Sequence, residues 1–373
     1  MNQTELLAYK ATYNSVFRQY LNSPRKTFKP PFLLSKSIQY ALYFLAIERP
    51  LDMCAFFKIH HQELEDIINQ PTYVTHFLLK KKQGLRTIKA PIGTLKLLQQ
   101  KLNRHLQGVY LNLKPTCAKG FVINPPGSSL KANIVENALP HVAKKYVLNM
   151  DIRDFFTSIS DKQIYHLFKS SPFDFSPQIA AAFTYLVTVD DCLPQGAPTS
   201  PILSNFACRS LDEKLMEFAN HHQLNYTRYA DDLTFSSDIP FTKEQIATIK
   251  KTLREEGFEP NEKKFRLRTS NKKQLVTGLV VNEKVNVDRK MLKRVRAILH
   301  DLRLNGASKA AQNFFKSESK PNETDILLFF KKLRGMIDFI GQVRGKEDVL
   351  FVKMRQDYSS SFAIEEDRMV YYR

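Results

Sequence analysis

Between residues 34 and 70 apolar side chains return at helical intervals. Ile38, Ala41, Leu42 and Leu45 form one stripe, and Leu64, Ile67 and Ile68 form another, the spacing that buries one face of a helix. Pro30-Pro31 and Pro50 punctuate the stretch, so residues 1–70 read as an N-terminal helical region. The period changes at Tyr73. YVTHFLLK, then KKQG, then LRTIKAP reads as strand, turn, strand, with Val74 and Ile88 set between polar neighbours and Gly84 supplying the turn. A helix follows, with Leu95, Leu98, Leu102 and Leu106 on one stripe. Pro125-Pro126-Gly127 marks a loop.

A buried strand is expected from Tyr146 to Met150, running into a turn and a helix. Residues 176–188 read as helical, and LPQGAPTSPILSN is a Pro/Gly-rich loop opening another helix that continues to about Asn220. Thr227–Ser236 has the pattern of a hairpin, and Thr242–Gly257 that of a helix closed by its glycine. Short strands follow near Phe265–Arg268 and Leu275–Val281, and from Asp288 onward the chain is helical again. Strand, helices, hairpin, helix and strands in that order predict an antiparallel sheet with helices on one face, an α+β fold. Internal repeats and low-complexity tracts are not seen. The divisions expected are a helical region at 1–70, then 71–145, a sheet-bearing region at 146–282, and a helical region at 283–373.

Composition adds a partner. The 56 Lys and Arg against 37 Asp and Glu leave a formal charge of +19, which points to a polyanion. The excess is concentrated, with sixteen Lys or Arg against seven Asp or Glu between Phe241 and His300. Binding through such a stretch is strongly salt-dependent. Cys54, Cys117, Cys192 and Cys208 form no C-x-x-C pair, which argues against zinc and disulfide frameworks and fits a reducing, cytoplasmic setting. His60-His61 and His221-His222 lack partners at metal spacing. The start MNQTELLAYK lacks the look of a signal peptide, and no apolar run approaches the length of a membrane span. A soluble, cytoplasmic protein without membrane association is expected.

Against this basic background two adjacent aspartates sit inside YTRYADDLTFS. In a flat strand Asp231 and Asp232 would point to opposite faces, so a tight hairpin at Ala230-Asp231-Asp232 is expected to bring both to one rim. Asp151 closes another apolar strand much as Asp231 closes YTRYA. If the two strands are neighbours, the carboxylates meet and repel unless cations lie between them. Oxygen-only ligands select hard ions, and Mg²⁺ binds through a few carboxylates plus substrate phosphates. Two such ions about 4 Å apart serve in-line phosphoryl displacement. An isolated DD is more often a turn stabilised by its own hydrogen bonds; the matching strand end at Asp151 favours the catalytic reading.

YADD, preceded by LNMDIRDFF and by LPQGAPTSPILSN in that order, resembles the palm of reverse transcriptases, over roughly residues 75–285. The resemblance implies a right-hand polymerase with fingers in 71–145 (including part of the palm), the catalytic palm in 146–282 and a helical thumb and RNA-binding region in 283–373. It further implies that Asp151, Asp231 and the backbone carbonyl of Ile152 hold two Mg²⁺ ions, Mn²⁺ being a possible substitute, with Asp232 more peripheral. Phe156 falls where the family keeps a ring beneath the sugar, so a 2′-hydroxyl would clash and deoxynucleotides are selected; a plain core phenylalanine is the alternative. Gln195 and Gly196 match the loop under the incoming base and template. Lys80 and Arg86 are the candidate cations of the fingers hairpin, although Lys80–Lys82 equally fits a solvated basic turn. Lys264, in NEKK, matches the lysine that protonates pyrophosphate. LVTGLVVN, 275–282, corresponds to the strand pair gripping the primer. On the helix from Lys290 to Arg303, Met291, Val295, Ile298 and Leu302 form the apolar stripe. Lys293, Arg294 and Arg296 lie off it, suiting either a duplex backbone or a solvated basic face.

Two short signatures narrow the family. Asn137-Ala138-Leu139-Pro140-His141 is similar to the N-A-x-x-H of retron reverse transcriptases, and Val276-Thr277-Gly278 to their V-T-G. Asn137, His141, Thr277 and Gly278 are therefore candidates for nucleic-acid contact. FIGQVRG at 339–345 resembles a retron thumb, and with about 140 residues following YADD no ribonuclease H, maturase or endonuclease domain is expected. One departure is the long linker VINPPGSSLKANIVE, which leaves open whether Lys119 or Lys131 touches substrate. The resemblance implies use of deoxynucleoside triphosphates and a cognate structured noncoding RNA, primed from a 2′-hydroxyl to give a branched RNA–DNA hybrid, msDNA. It also implies antiphage defence with an effector protein encoded nearby. RNA recognition should rest on shape and single-stranded elements, with Tyr358 and Tyr371-Tyr372 in the C-terminal lobe as places to look. The alternatives are a diversity-generating, abortive-infection or intron-derived reverse transcriptase, and a nonenzymatic RNA-binding scaffold. An RNA-dependent RNA polymerase is disfavoured by Phe156, and a nucleotide cyclase by the missing G-G-acidic-acidic-F turn.

Overall fold

The structure is a computed structural model that describes residues 3–22, 34–79, 84–124 and 132–371. Pro30-Pro31, Lys80–Lys82, Pro125-Pro126-Gly127, Lys131 and Tyr372 lie outside the described residues, as does the side chain of Tyr371. The chain begins with α1 (Gln3–Asn22), α2 (Lys36–Leu45), α3 (Pro50–Phe57) and α4 (His61–Asn69), then the strands β1 (Tyr73–Leu79) and β2 (Leu85–Pro91). Next come α5 (Gly93–Leu111), the short α6 (Ile134–Ala138), β3 (Tyr146–Asp151), α7 (Asp161–Lys169) and α8 (Pro177–Val187). After these follow α9 (Ser200–Ala207), α10 (Arg209–His221), the hairpin β4 (Asn225–Tyr229) and β5 (Asp232–Ser237), and α11 (Lys243–Glu255). The remainder is β6 (Arg266–Thr269), β7 (Leu275–Val276), β8 (Leu279–Val280), α12 (Arg289–Phe315), α13 (Glu323–Arg344) and α14 (Val349–Tyr371). The expected α+β class holds.

Two compact units form, residues 1–140 with 146–267, and 141–145 with 268–373. The larger sheet runs β4-β5-β3-β6, with β3 and β5 antiparallel from Tyr146↔Ser237 to Asp151↔Asp232. Strand β3 lies between two neighbours, which is why Val147, Leu148 and Met150 form a nearly unbroken apolar run and are all buried. Helix starts are set by local chemistry. Ser160 with Gln163 and Thr242 with Gln245 form capping boxes at α7 and α11, and Ser176 followed by Pro177 opens α8. The single helix expected to reach about Asn220 is two, bending at Cys208 (φ −85°, ψ 1°). Hydrogen bonds continue across the bend, from Cys208 N to Ser204 O (3.0 Å) and from Asp212 N to Cys208 O (2.8 Å), so the apolar period hides it. The N-terminal helices join the first unit through aromatic edges: Phe44 meets Phe183, Phe175 and Phe173 with ring centroids 5.1, 5.3 and 5.9 Å apart.

The second unit is a bundle of α12, α13 and α14 beside the β7–β8 hairpin. Helix α12 kinks at Gly306 (φ 74°, ψ 173°). Its core includes Val295, Leu302, Phe329, Phe330 and Ile337. Tyr358, marked above for RNA contact, is instead 6% exposed and stacks on Phe362 at 5.9 Å, because the turns of α14 aim it into this core. All four cysteines are free thiols. No described helix is long and apolar enough to cross a membrane.

Candidate active site

The β3–β5 register carries the carboxylates to one place. Asp151 is the last residue of β3 and lies directly opposite Asp232, the first residue of β5, while Tyr229 faces Asp232 from β4. Ala230 and Asp231 are thus the two central residues of a tight hairpin turn. The expectation that Asp231 ends its strand is corrected here, because the strand stops at Tyr229. Ala230 has φ 59°, so the peptide path turns sharply, and the Asp231 carbonyl accepts from the Ile152 amide at 3.0 Å. That bond ties the turn to the end of β3. Asp151 is 4% exposed, and Asp232 reaches solvent at the rim.

A second loop closes on Asp151. The Asn261 amide donates to the Asp151 carbonyl (2.7 Å), and its side-chain nitrogen donates to Oδ2 of the same residue (3.2 Å). Lys264 Nζ donates to Asp151 Oδ1 at 2.5 Å. Withdrawal from water pushes the Asp231 carboxyl above the ordinary range, and repulsion by Asp151 adds to it; Lys264 and Arg86 oppose the shift. The same desolvation, followed by repulsion from Asp231 and Asp151, pushes Asp232 up to about 7. Desolvation works against the Lys264 ammonium, but its hydrogen bond to Asp151 and the three negative charges outweigh that, and it is held above its usual value. The cluster is one of carboxylates that cannot all ionise comfortably without added positive charge.

That donor set fits a hard divalent cation. Among the described residues no three His, Cys, Asp or Glu side chains already form a closed ligating group. Mg²⁺ does not require one, since it is typically held by one or two carboxylates with substrate phosphates and water. Asp151 and Asp231, with the Ile152 carbonyl and the rim carboxylate of Asp232, are the residues that could hold it.

A model of the family "Reverse transcriptase (RNA-dependent DNA polymerase)" matches residues 78–288, more than half of the chain. The chain belongs to the reverse transcriptase family. It is 35% identical over 247 residues to the Retron Mx65 reverse transcriptase of Myxococcus xanthus, covering 61% of this chain and 55% of that one. With the Retron Ec86 reverse transcriptase of Escherichia coli it shares 31% identity over 260 residues, covering 67% of this chain and 77% of that one. These matches make it a reverse transcriptase of retron type, although it spans only about half the length of the Mx65 protein. A telomerase from Candida albicans in complex with a fragment of telomeric RNA superposes over 79% of this chain and 64% of that one at 10% identity, with a TM-score of 0.44.

Around the reverse transcriptase carboxylates, the other expected residues fall into two groups. Arg86, on β2 opposite Leu78, is exposed and acts electrostatically on Asp231. Phe156 is half-buried, its ring 6.0 Å from Phe121, while Phe155 beside it is 5% exposed and packs on Phe258. Gln195 lends its carbonyl to the Lys89 amide at 2.8 Å. Gly196 has φ 124°, and a Cβ there would lie 2.6 Å from Ile88 Cγ2 and 3.1 Å from the Lys89 carbonyl. Its smallness therefore lets this loop dock on β2, where Lys89 also pairs with Asp190. Lys80 lies outside the described residues.

The second group has other surroundings. Asn137 and His141 are fully buried, and burial pulls the His141 imidazole down to about 3, so it is neutral. The Asn137 carbonyl accepts from Thr227 Oγ1 at 3.2 Å, so the residue backs β4. Direct nucleic-acid contact by either would require its surroundings to open. Thr277 (φ 46°) and Gly278 (φ 82°) are the two left-handed residues of the turn joining β7 and β8, where Val276 pairs with Leu279. Lys293 and Arg294 are exposed on α12, and the Arg294 guanidinium lies 5.5 Å from the Phe314 ring centroid. Sequence reasoning missed Asn261, although it begins the NEKK motif, and Arg228, which sits inside YTRYADD.

Proposed function

We propose that this chain is the RNA-directed DNA polymerase of a retron. It would copy part of a cognate structured noncoding RNA into msDNA, a branched RNA–DNA hybrid started at a 2′-hydroxyl. The observation carrying the reading is the Asp151–Asp232 register with Asp231 in the intervening turn, within a chain similar to retron enzymes over most of its length. Two Mg²⁺ ions, for which Mn²⁺ could substitute, would supply charge for the attacking and leaving oxygens when bound. Asp151 and Asp231 orient toward that charge, with the Ile152 carbonyl as a further donor and Asp232 as an outer carboxylate. Arg86, Lys80 and Lys264 offset charge on the triphosphate. In this reading Lys264, beside Asp151, reaches a phosphate oxygen and serves as proton donor to pyrophosphate. Phe156 excludes a ribose 2′-hydroxyl, and Gln195 and Gly196 support the incoming base and template.

The fingers fall in 71–145, the palm in 146–282 and the thumb in 283–373, where the basic face of α12 (Lys293, Arg294) tracks a duplex backbone. Thr277 and Gly278 present their hairpin to the primer, and Asn137 and His141 brace the cognate-RNA side of the palm from within. We further assign the system to antiphage defence in the cytoplasm, with an effector protein encoded nearby. The test is to supply the full chain with the noncoding RNA transcribed from the DNA beside its gene, dNTPs and Mg²⁺. DNA joined covalently to that RNA through a 2′–5′ linkage supports the reading. Extension of generic primed templates with no product on the cognate RNA would contradict the retron assignment but leave the polymerase.

A further inference from the structure

Arg228 lies in β4, three residues before Asp231, and is completely buried. A guanidinium with no solvent needs a reason, since burying a charge is costly unless it is paired and hydrogen-bonded. The pairing is supplied by α10. Arg228 Nε donates to Asp212 Oδ1 at 2.8 Å and Nη2 to Oδ2 at 2.6 Å, the two-pronged geometry open to arginine and not to lysine. Asp212 is also fully buried and accepts from the Tyr226 hydroxyl at 3.0 Å.

The third nitrogen is aimed elsewhere. Nη1 donates to Asn205 Oδ1 and to the Ala230 carbonyl, both at 3.1 Å. That carbonyl belongs to the peptide linking Ala230 to Asp231, so its direction sets how the Asp231 backbone, and hence its carboxylate, leaves the turn. Ala230 has φ 59°, a conformation that residues bearing a Cβ adopt only when their surroundings impose it. The surroundings do so from several sides. Asn205 Nδ2 donates to the Gly120 carbonyl at 2.9 Å, and Gly120 lies so close that a Cβ there would stand 2.6 Å from the Ala230 nitrogen. Backbone bonds from Arg228 N to Cys117 O and from Lys119 N to Arg228 O, both 2.9 Å, hold that loop against β4.

We propose that Arg228, clamped by Asp212 and Asn205, is a positioning residue for the reaction: its guanidinium holds the 230–231 peptide in the orientation that aims the Asp231 carboxylate. The assignment rests on the reading of Asp231 as a catalytic ligand. Arg228 never touches substrate, so its loss acts through Asp231. Lysine at 228 keeps the charge but cannot satisfy Asp212 with two bonds and also reach Asn205 and Ala230.

The test uses the full chain on a DNA-primed RNA template of generic sequence, with the Mg²⁺ concentration for half-maximal rate, kcat and template KM measured separately. Arg228→Lys is expected to lower kcat at least tenfold and to raise the Mg²⁺ midpoint several-fold, with template KM within twofold of wild type. Because disturbing a buried ion pair can unfold the chain, Asn205→Ala is read alongside it. That variant leaves the Arg228–Asp212 pair and the Nη1 bond to the Ala230 carbonyl in place but removes the second partner that steadies Nη1 and the tie to Gly120, and it is expected to move the Mg²⁺ midpoint the same way, by a smaller factor. A folded Asn205→Ala chain with wild-type kcat and Mg²⁺ midpoint overturns the proposal, as does a loss of stability and rate without any midpoint shift. Asp231→Asn in the same assay separates the two claims. If that variant remains active, the catalytic reading itself fails; if it is dead while both other variants match wild type, only the positioning role fails.

Discussion

Replacing Asp232 by asparagine should stabilise the metal-free protein at alkaline pH while impairing catalysis. In the folded chain the Asp232 carboxyl is pushed up to about 7, against an ordinary value of about 3.9 in an unfolded chain. The folded state therefore holds its proton more tightly. Stability attributable to this group is greatest at low pH, falls as pH rises from about 4 through 7, and levels off above that. For a fully buried carboxyl, each tenfold difference in proton affinity between the folded and unfolded chain is worth about 1.4 kcal/mol. Asp232 sits at a solvent-exposed rim, where screening removes most of that, so we expect about 1 kcal/mol at pH 8. For a unit of this size that corresponds to a rise of about 2 °C in Tm. The assay is thermal unfolding in chelator at pH 5 and pH 8, repeated with Mg²⁺. Asp232→Asn should exceed wild type only slightly at pH 5 and by the full amount at pH 8, and Mg²⁺ should stabilise wild type more than the variant, by mass action on a metal-binding folded state. A variant less stable than wild type at pH 8 in chelator would refute desolvation and mutual repulsion of the carboxylates as a destabilising load on the folded state; equal stabilisation by Mg²⁺ would remove Asp232 from the metal site.

Two further outcomes follow from the flanking residues. Gly196→Ala forces a Cβ to within 2.6 Å of Ile88 at φ 124° and should cost about 2 kcal/mol or more, with a raised dNTP KM as the β2 contact shifts; unchanged stability would mean the loop is not docked as described. Phe156→Ala should raise ribonucleotide incorporation about tenfold or more relative to deoxynucleotides, the scale on which a small group in a pocket is rejected. Unchanged sugar discrimination in single-nucleotide extension would leave Phe156 a packing residue beside Phe121 and Phe155.

The sequence was informative where a signal is local. Apolar runs and alternation marked β3 and the β4–β5 hairpin, Gly257 marked the close of the helix that became α11, and an acidic residue at each strand end marked the carboxylate cluster. Register was less visible. Asp151 faces Asp232, not Asp231, because the turn holds only two residues, and turn length cannot be read from a pair of aspartates alone. Arg228 resembles any cation in a strand until α10 brings Asp212 beneath it, sixteen positions earlier. Gly196 advertises a need for smallness, but the neighbour that requires it, Ile88, comes from a distant hairpin. Asn137 and His141 read as candidates for nucleic-acid contact, and nothing in their local sequence signals that packing of α6 and the following turn buries both. Long-range packing decides these cases, and periodicity does not encode it.

Metal-dependent DNA synthesis through Asp231 is tested most plainly on a primed RNA template in Mg²⁺, with wild type and Asp231→Asn compared and RNA affinity measured on the same preparations. Wild type is expected to incorporate dNTPs. The variant is expected to lose at least a thousandfold, about 4 kcal/mol of transition-state stabilisation, with RNA affinity unchanged. Comparable synthesis by the two proteins would contradict the assignment of Asp231 and, with it, the catalytic reading of the carboxylate cluster.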